Sequence, residues 1–155
     1  MKFTSILLGL LVGTTFFILL PYFFLLLSIY LFLPIYSFFI LKIFGIILIL
    51  FGLCLFSYCS GLFFIFGKGT PAPIEPPKKL VVEGLYKYTR NPIYIGYFMI
   101  LLGEFLFFGQ FLLLIYFFLA IIGINMYAVF HEEPILKKRF GKSYKEYFKK
   151  IPRWL

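Results

Sequence analysis

The sequence predicts an all-α polytopic membrane bundle of about four spanning helices with a C-terminal amphipathic interfacial helix. Three observations point there. Of its 155 residues, 63% are hydrophobic and 14% charged, more apolar surface than a domain of this size can hide from water. Residues 3–41 and 43–67 carry no charge, and from Asn91 to Phe130 the one charged side chain is Glu104; runs of this length suit bilayer spans better than soluble core helices. Thirteen of the fifteen basic residues flank those runs. Lys68, Lys78, Lys79, Lys87 and Arg90 lie in a central connection, and Lys137, Lys138, Arg139, Lys142, Lys145, Lys149, Lys150 and Arg153 lie in the tail.

The first helix is expected from Phe3 to Leu33. Lys2 ahead of an apolar run imitates a secretory leader, but the run far exceeds a signal core and no small-residue cleavage site closes it. Pro21 should kink this helix and Pro34 should begin the turn to the next. A full break at Pro21 would give five helices in place of four. The second helix, Leu41 to Phe66, carries Cys54 and Cys59 on different faces, which fits apolar fillers better than a disulfide or a metal pair. Residues 1–66 thus form a pair of spans, and residues 67–155 a second region.

That second region divides into a connection (67–91), a hairpin (92–130) and a tail (131–155). In the connection, Gly67 to Pro77 holds four prolines and two glycines, which exclude helix and leave either a stiff spacer or a shaped loop. Leu80-Val81-Val82 then returns the chain to the apolar phase, and Gly84 lets it turn toward Tyr86. The thirty-nine residues from Pro92 to Phe130 would form a single helix of about 58 Å, near twice a hydrocarbon core, so a turn at Gly109-Gln110 is expected. In the tail, apolar and basic residues alternate as on a helix lying at a bilayer surface, broken near Gly141 and ending in the interfacial anchor Trp154.

The positive-inside rule places the connection and tail in the cytoplasm, with Lys42 on the other side. The net charge of +9 fits contact with anionic headgroups; no nucleic-acid motif accompanies it. Both ends of an apolar hairpin lie on one side of the membrane, so Tyr86, Tyr88, Arg90, Asn91 and Tyr94 at one end can share a pocket with Glu132 and Glu133 at the other. Asn91 followed by Pro92 also reads as a plain helix cap. Adjacent carboxylates at a helix C-terminus repel each other and oppose the helix dipole, so a cation is expected beside them. Either the Lys137-Lys138-Arg139 cluster or a bound ligand would supply it. His131 beside the two acids lacks the further ligands of a metal site, and none is expected. Glu104, inside the hairpin, should be protonated or paired, supporting the fold or facing the pocket.

The ordered set Leu80-Val81, Gly84-x-Tyr86, Arg90-x-Pro92-x-Tyr94-x-Gly96, Glu132-Glu133-x-x-Leu136, Phe140-Gly141-x-x-Tyr144-x-x-Tyr147 and Ile151-Pro152 resembles the isoprenylcysteine carboxyl methyltransferases and the related membrane phospholipid methyltransferases, over about half the chain. The Gly-Thr-Pro-Ala-Pro segment is similar to the short prokaryotic members, which implies a prokaryotic cytoplasmic membrane. The resemblance implies S-adenosylmethionine as methyl donor and a lipophilic or prenylated acceptor, with the active site facing the cytoplasm. Carried over by position, Leu80, Val81, Tyr86, Asn91, Pro92, Ile93, Tyr94, Glu132 and Glu133 would bind the cofactor, and Arg90 and Asn91 are the candidates nearest the chemistry. Two positions depart from the pattern. Asn91 stands where the family usually has His, and Ala128 stands where prenylcysteine-specific members carry an Arg for the substrate carboxylate, which weakens that substrate. Two other classes fit part of the pattern: a sterol-reductase-like enzyme using NADPH, and a small non-enzymatic membrane subunit.

Overall fold

A computed structural model describes residues 3–67 and 77–154. The first apolar run is one helical path: α1 (Phe3–Thr14), a π-helical turn over Thr15–Leu19, and α2 (Leu20–Tyr30). Pro21 therefore does not split it. Proline lacks an N–H and its ring collides with the carbonyl four residues back; widening the preceding turn relieves the collision. The cost is one carbonyl. The Leu20 N–H bonds Thr15 O and Pro21 offers none, so Phe16 O loses both helical donors. Tyr97 and Tyr116 supply the replacement. Their hydroxyls lie 2.7 Å apart and 3.3 and 3.0 Å from Phe16 O, so whichever donates to the other, one proton still reaches the carbonyl.

The helix ends at Tyr30, three residues before the expected Leu33. Phe32 has φ 52, its N–H bonds Ile29 O, and the Leu33 N–H bonds Ser28 O. This is a Schellman stop, with Pro34 just beyond it preventing continuation.

The second span is α3 (Phe39–Leu62), closed by a π turn over Phe63–Gly67. It packs against α4 (Pro92–Phe108) at glycine contacts. A Cβ on Gly45 would meet Gly103 O at 2.7 Å, and one on Gly52 would meet Gly96 O at 2.7 Å. Between helices in lipid no hydrophobic force drives association, so close backbone approach over small residues supplies the packing.

The expected turn is present. Gly109 adopts φ 67, and a Cβ there would collide with Tyr36 O. Gly109 O accepts the Tyr36 N–H at 2.9 Å, and Ile35 bridges Gln110, pinning the α2–α3 link beneath the hairpin. Among the described residues three helical stretches, Leu7–Tyr30, Phe39–Gly67 and Phe111–Lys150, are long and apolar enough to cross a membrane, and α4 is a shorter apolar helix.

The fourth helix does not end near Phe130. After α5 (Phe111–Tyr127), a π turn over Ala128–Glu132 leads directly into α6 (Glu133–Lys150). The reason repeats that at Pro21: Pro134 lacks an N–H, and the Glu133 N–H reaches back to Ala128 O. Gly141, at φ 53 and ψ −118, kinks α6 where a break was expected. Nor does the tail serve only as a surface helix. Tyr144 is 2% exposed, and the Tyr147 hydroxyl donates to Tyr86 O at 2.7 Å, so the tail closes over the connection.

Candidate functional site

The connection reaches the site through a backbone clasp and a buried turn. Gly67 O accepts the Lys78 N–H at 2.8 Å, and Val81 then packs with Cys59, Leu62, Tyr86 and Ile93. Gly84 takes φ 57, and a Cβ there would press on the Tyr58 hydroxyl and Leu62. The 3-10 turn that follows, Gly84–Lys87, drives Tyr86 inward and leaves Lys87 outside, where it pairs with Glu83 at 2.8 Å. Tyr88 is 68% exposed and takes no part in the site. Residues 68–76, which include Lys68 and most of the Gly/Pro-rich segment, lie outside the described residues.

Between the connection, α4 and the α5–α6 junction lies a cavity of about 170 Å³. Phe63, Pro77, Leu80, Val81 and Tyr86 line one side; Arg90, Asn91 and Tyr94 line the base of α4; Tyr127, His131, Glu132, Glu133, Ile135, Leu136, Tyr144 and Tyr147 complete it. The fold thus brings together eight of the residues singled out from sequence: Leu80, Val81, Tyr86, Arg90, Asn91, Tyr94, Glu132 and Glu133. Pro92 and Ile93 are buried behind the wall instead. Asn91 precedes α4 as expected, but its side chain makes no capping bond. Its N–H is received by Thr89 Oγ1 at 3.4 Å, which leaves the amide side chain on the cavity wall.

The two adjacent acids meet opposite environments. Glu133 is held by two arginines: Arg153 Nε and Nη2 donate to its two oxygens at 2.8 and 3.2 Å, and Arg90 Nη1 stands 3.0 Å from Oε1. These are the cations the acid pair required, and they come from the connection and the C-terminus rather than from Lys137-Lys138-Arg139. Glu132 has no such partner. It accepts a hydrogen bond from the Tyr94 hydroxyl at 3.0 Å, and among the described residues no cation lies within ion-pair range of it. Burial pushes its carboxyl above the usual range, the Tyr94 bond opposing that shift. Burial likewise raises the Tyr86 phenol, whose oxygen is buried with no hydrogen-bond partner among the described residues.

Sequence reasoning missed the clasp that shapes this wall. Arg90 N–H donates to Pro152 O at 2.9 Å, Thr89 Oγ1 donates to Arg153 O at 2.8 Å, and Trp154 Nε1 donates to Asn125 Oδ1 at 3.2 Å. One signal was available: among fifteen basic residues only Arg90, Arg139 and Arg153 are arginines, and two of these serve the buried carboxylate, where a planar fork outperforms an ammonium.

A family model described as phospholipid methyltransferase matches residues 36–143, from the α2–α3 link through the cavity wall and into α6. The chain belongs to this family. The chain is also 37% identical over 73 residues to the protein-S-isoprenylcysteine O-methyltransferase of Schizosaccharomyces pombe (strain 972 / ATCC 24843), a stretch covering 47% of the chain and 31% of that relative. The chain thus matches about a third of the length of this curated relative. No solved structure matches it. The family match ends at residue 143, before Tyr144, Tyr147 and Arg153, while their partners Tyr86, Thr89, Asn125 and Glu133 lie inside it.

Proposed function

We propose that this member of the phospholipid methyltransferase family is an integral membrane enzyme that transfers a methyl group from S-adenosylmethionine to a lipophilic acceptor, at a site facing the cytoplasm. The observation that carries the reading is the division of labour between the acids. Glu133 is neutralised by two arginines, whereas Glu132, five residues beyond Tyr127 and bonded to Tyr94, stands in a cavity wall without a cation among the described residues. An uncompensated carboxylate in such a setting is costly, and a cationic ligand group removes the cost.

The cavity suits S-adenosylmethionine on three counts. Glu132 can receive its ammonium; the buried, unpartnered hydroxyl of Tyr86 and the Asn91 amide can take up its polar edges; and Leu80, Val81 and Phe63 offer an apolar wall for its adenine. Bound there, the cofactor supplies an electrophilic methyl on a sulfonium. The residues contribute position and dryness. Tyr86, Tyr94 and Tyr127 present aromatic faces that favour a cation, and the C-terminal clasp excludes water. Displacement at a methyl carbon needs alignment of the reacting atoms more than it needs a protein nucleophile.

The test is parallel calorimetric titration of the purified protein with S-adenosylmethionine and NADPH. Saturable binding of the first and none of the second is expected. Binding of NADPH instead would favour a reductase, and binding of neither would favour a non-enzymatic subunit. Mass spectrometry of membrane lipids incubated with the protein and labelled S-adenosylmethionine then identifies the acceptor by its gain of a methyl group.

A further inference from the structure

The Arg90 guanidinium is placed as if for a second, anionic ligand. Its side chain is 8% exposed and lines the cavity. Its carbon lies 3.9 Å over the Phe148 ring, so an aromatic surface covers one face. Nη1 is close to Glu133 but not aligned for a hydrogen bond, and among the described residues neither Nη1 nor Nε has a hydrogen-bond partner. Arg153, by contrast, engages both oxygens of Glu133 with well-formed bonds. Two guanidinium groups thus stand against the one carboxylate of Glu133, and Arg153 alone makes well-formed bonds to it. A buried arginine with unpaired donors is costly unless something accepts from them.

We propose that Arg90 is the residue that receives an oxyanion of the methyl acceptor, a specificity-determining contact made from the connection rather than from the hairpin. The inference rests on the methyl-transfer reading of the same cavity. In the simplest case the oxyanion is a carboxylate that itself reacts. Its oxygen forms the new bond to the methyl carbon, the carbon–sulfur bond breaks with its electron pair passing to sulfur, and a neutral ester and thioether result with no proton released. In the other case the oxyanion is a headgroup phosphate, which Arg90 holds while the lone pair of a neighbouring neutral amine forms the bond to the methyl carbon, the carbon–sulfur pair passes to sulfur, and a methylated ammonium and a neutral thioether result.

Full-length protein in detergent, titrated with dodecanoate, dodecyl phosphate and the neutral dodecanamide in the presence of S-adenosylhomocysteine, tests the assignment. Arg90→Gln should weaken binding of the anionic probes by about tenfold or more and leave dodecanamide unchanged, with Arg90→Lys intermediate. Loss confined to dodecanoate marks a carboxylate acceptor, and loss confined to dodecyl phosphate marks a headgroup. Equal effects on charged and neutral probes, or no effect, overturn the proposal. Should Arg90→Gln fail to fold, Glu133→Gln gives the second reading: it frees Arg90 and should raise the affinity ratio of anionic to neutral probe, and an unchanged ratio overturns the proposal. Titration with S-adenosylhomocysteine alone separates the two readings. If the wild-type protein does not bind it, the methyl-transfer reading has failed; if it binds while the anion preference is insensitive to Arg90, only the present inference has.

Discussion

Replacing Glu132 by Gln should move stability and ligand affinity in opposite directions. The side chain keeps its shape and its contact with the Tyr94 hydroxyl, 3.0 Å away, but loses a charge for which the described residues supply no cation. In the ligand-free protein that charge is a burden, so the variant should melt at the same temperature as the wild type or higher. Toward a ligand ammonium the same charge is the main attraction, and removing a charge-assisted contact costs about 1.5–3 kcal/mol, or roughly 10- to 150-fold in Kd. Differential scanning fluorimetry and calorimetric titration with S-adenosylmethionine read the two effects on one preparation. Burial raises the Glu132 carboxyl, so the folded state holds that proton more tightly than the unfolded chain. Its contribution to stability is present below the ordinary glutamate range and is lost as pH rises through the folded value. Affinity for the cation should rise over the same window, and Glu132→Gln should flatten both trends. A variant that is less stable yet binds equally well would refute the reasoning, because Glu132 would then be a structural acid.

Other perturbations probe the scaffold. Gly103→Ala should destabilise by about 1–3 kcal/mol, since the new Cβ meets Gly45 O at 2.7 Å and neither backbone can yield; Gly61→Ala, with open space around it, should be neutral or better in the same thermal assay. Tyr97→Phe or Tyr116→Phe alone should cost little, because either hydroxyl can serve Phe16 O. The double substitution should cost about 0.5–1.5 kcal/mol beyond the sum of the singles, and strict additivity would count against shared capping of that carbonyl. Arg153→Ala should loosen the C-terminal clasp and cost about 1.5–3 kcal/mol, with faster proteolytic removal of the tail as the readout.

The site is less legible in the sequence than the fold, and the reason differs from residue to residue. Tyr86, Tyr94 and Glu132 could be singled out because a polar group at the edge of an apolar run is conspicuous. Whether each faced a cavity was not legible, since Tyr88, two residues from Tyr86, reads the same and is exposed. The 3-10 turn after Gly84 decides between them, and a single turn of that kind leaves no periodicity to detect. The pairing of Glu133 with Arg90 and Arg153 spans 43 and 20 positions and depends on the kink at Gly141 and the return of Pro152 to the Arg90 backbone. No local pattern encodes such a distance.

By itself the sequence determined the apolar spans, the hairpin turning at Gly109, the polar connection and the crowding of tyrosines and acids at one end. All of these follow from local composition acting against a hydrocarbon solvent, which penalises every unpaired polar group wherever it falls. Tertiary structure decided three further things. It made Pro21 and Pro134 π turns within continuous helices, because neighbouring atoms were available to absorb the displaced backbone. It buried Pro92 and Ile93 while turning Asn91 to the cavity. It also gave two adjacent glutamates opposite partners, since charge pairing at short range is settled by which distant cations the fold carries to within about 3 Å, and only the assembled chain fixes that distance.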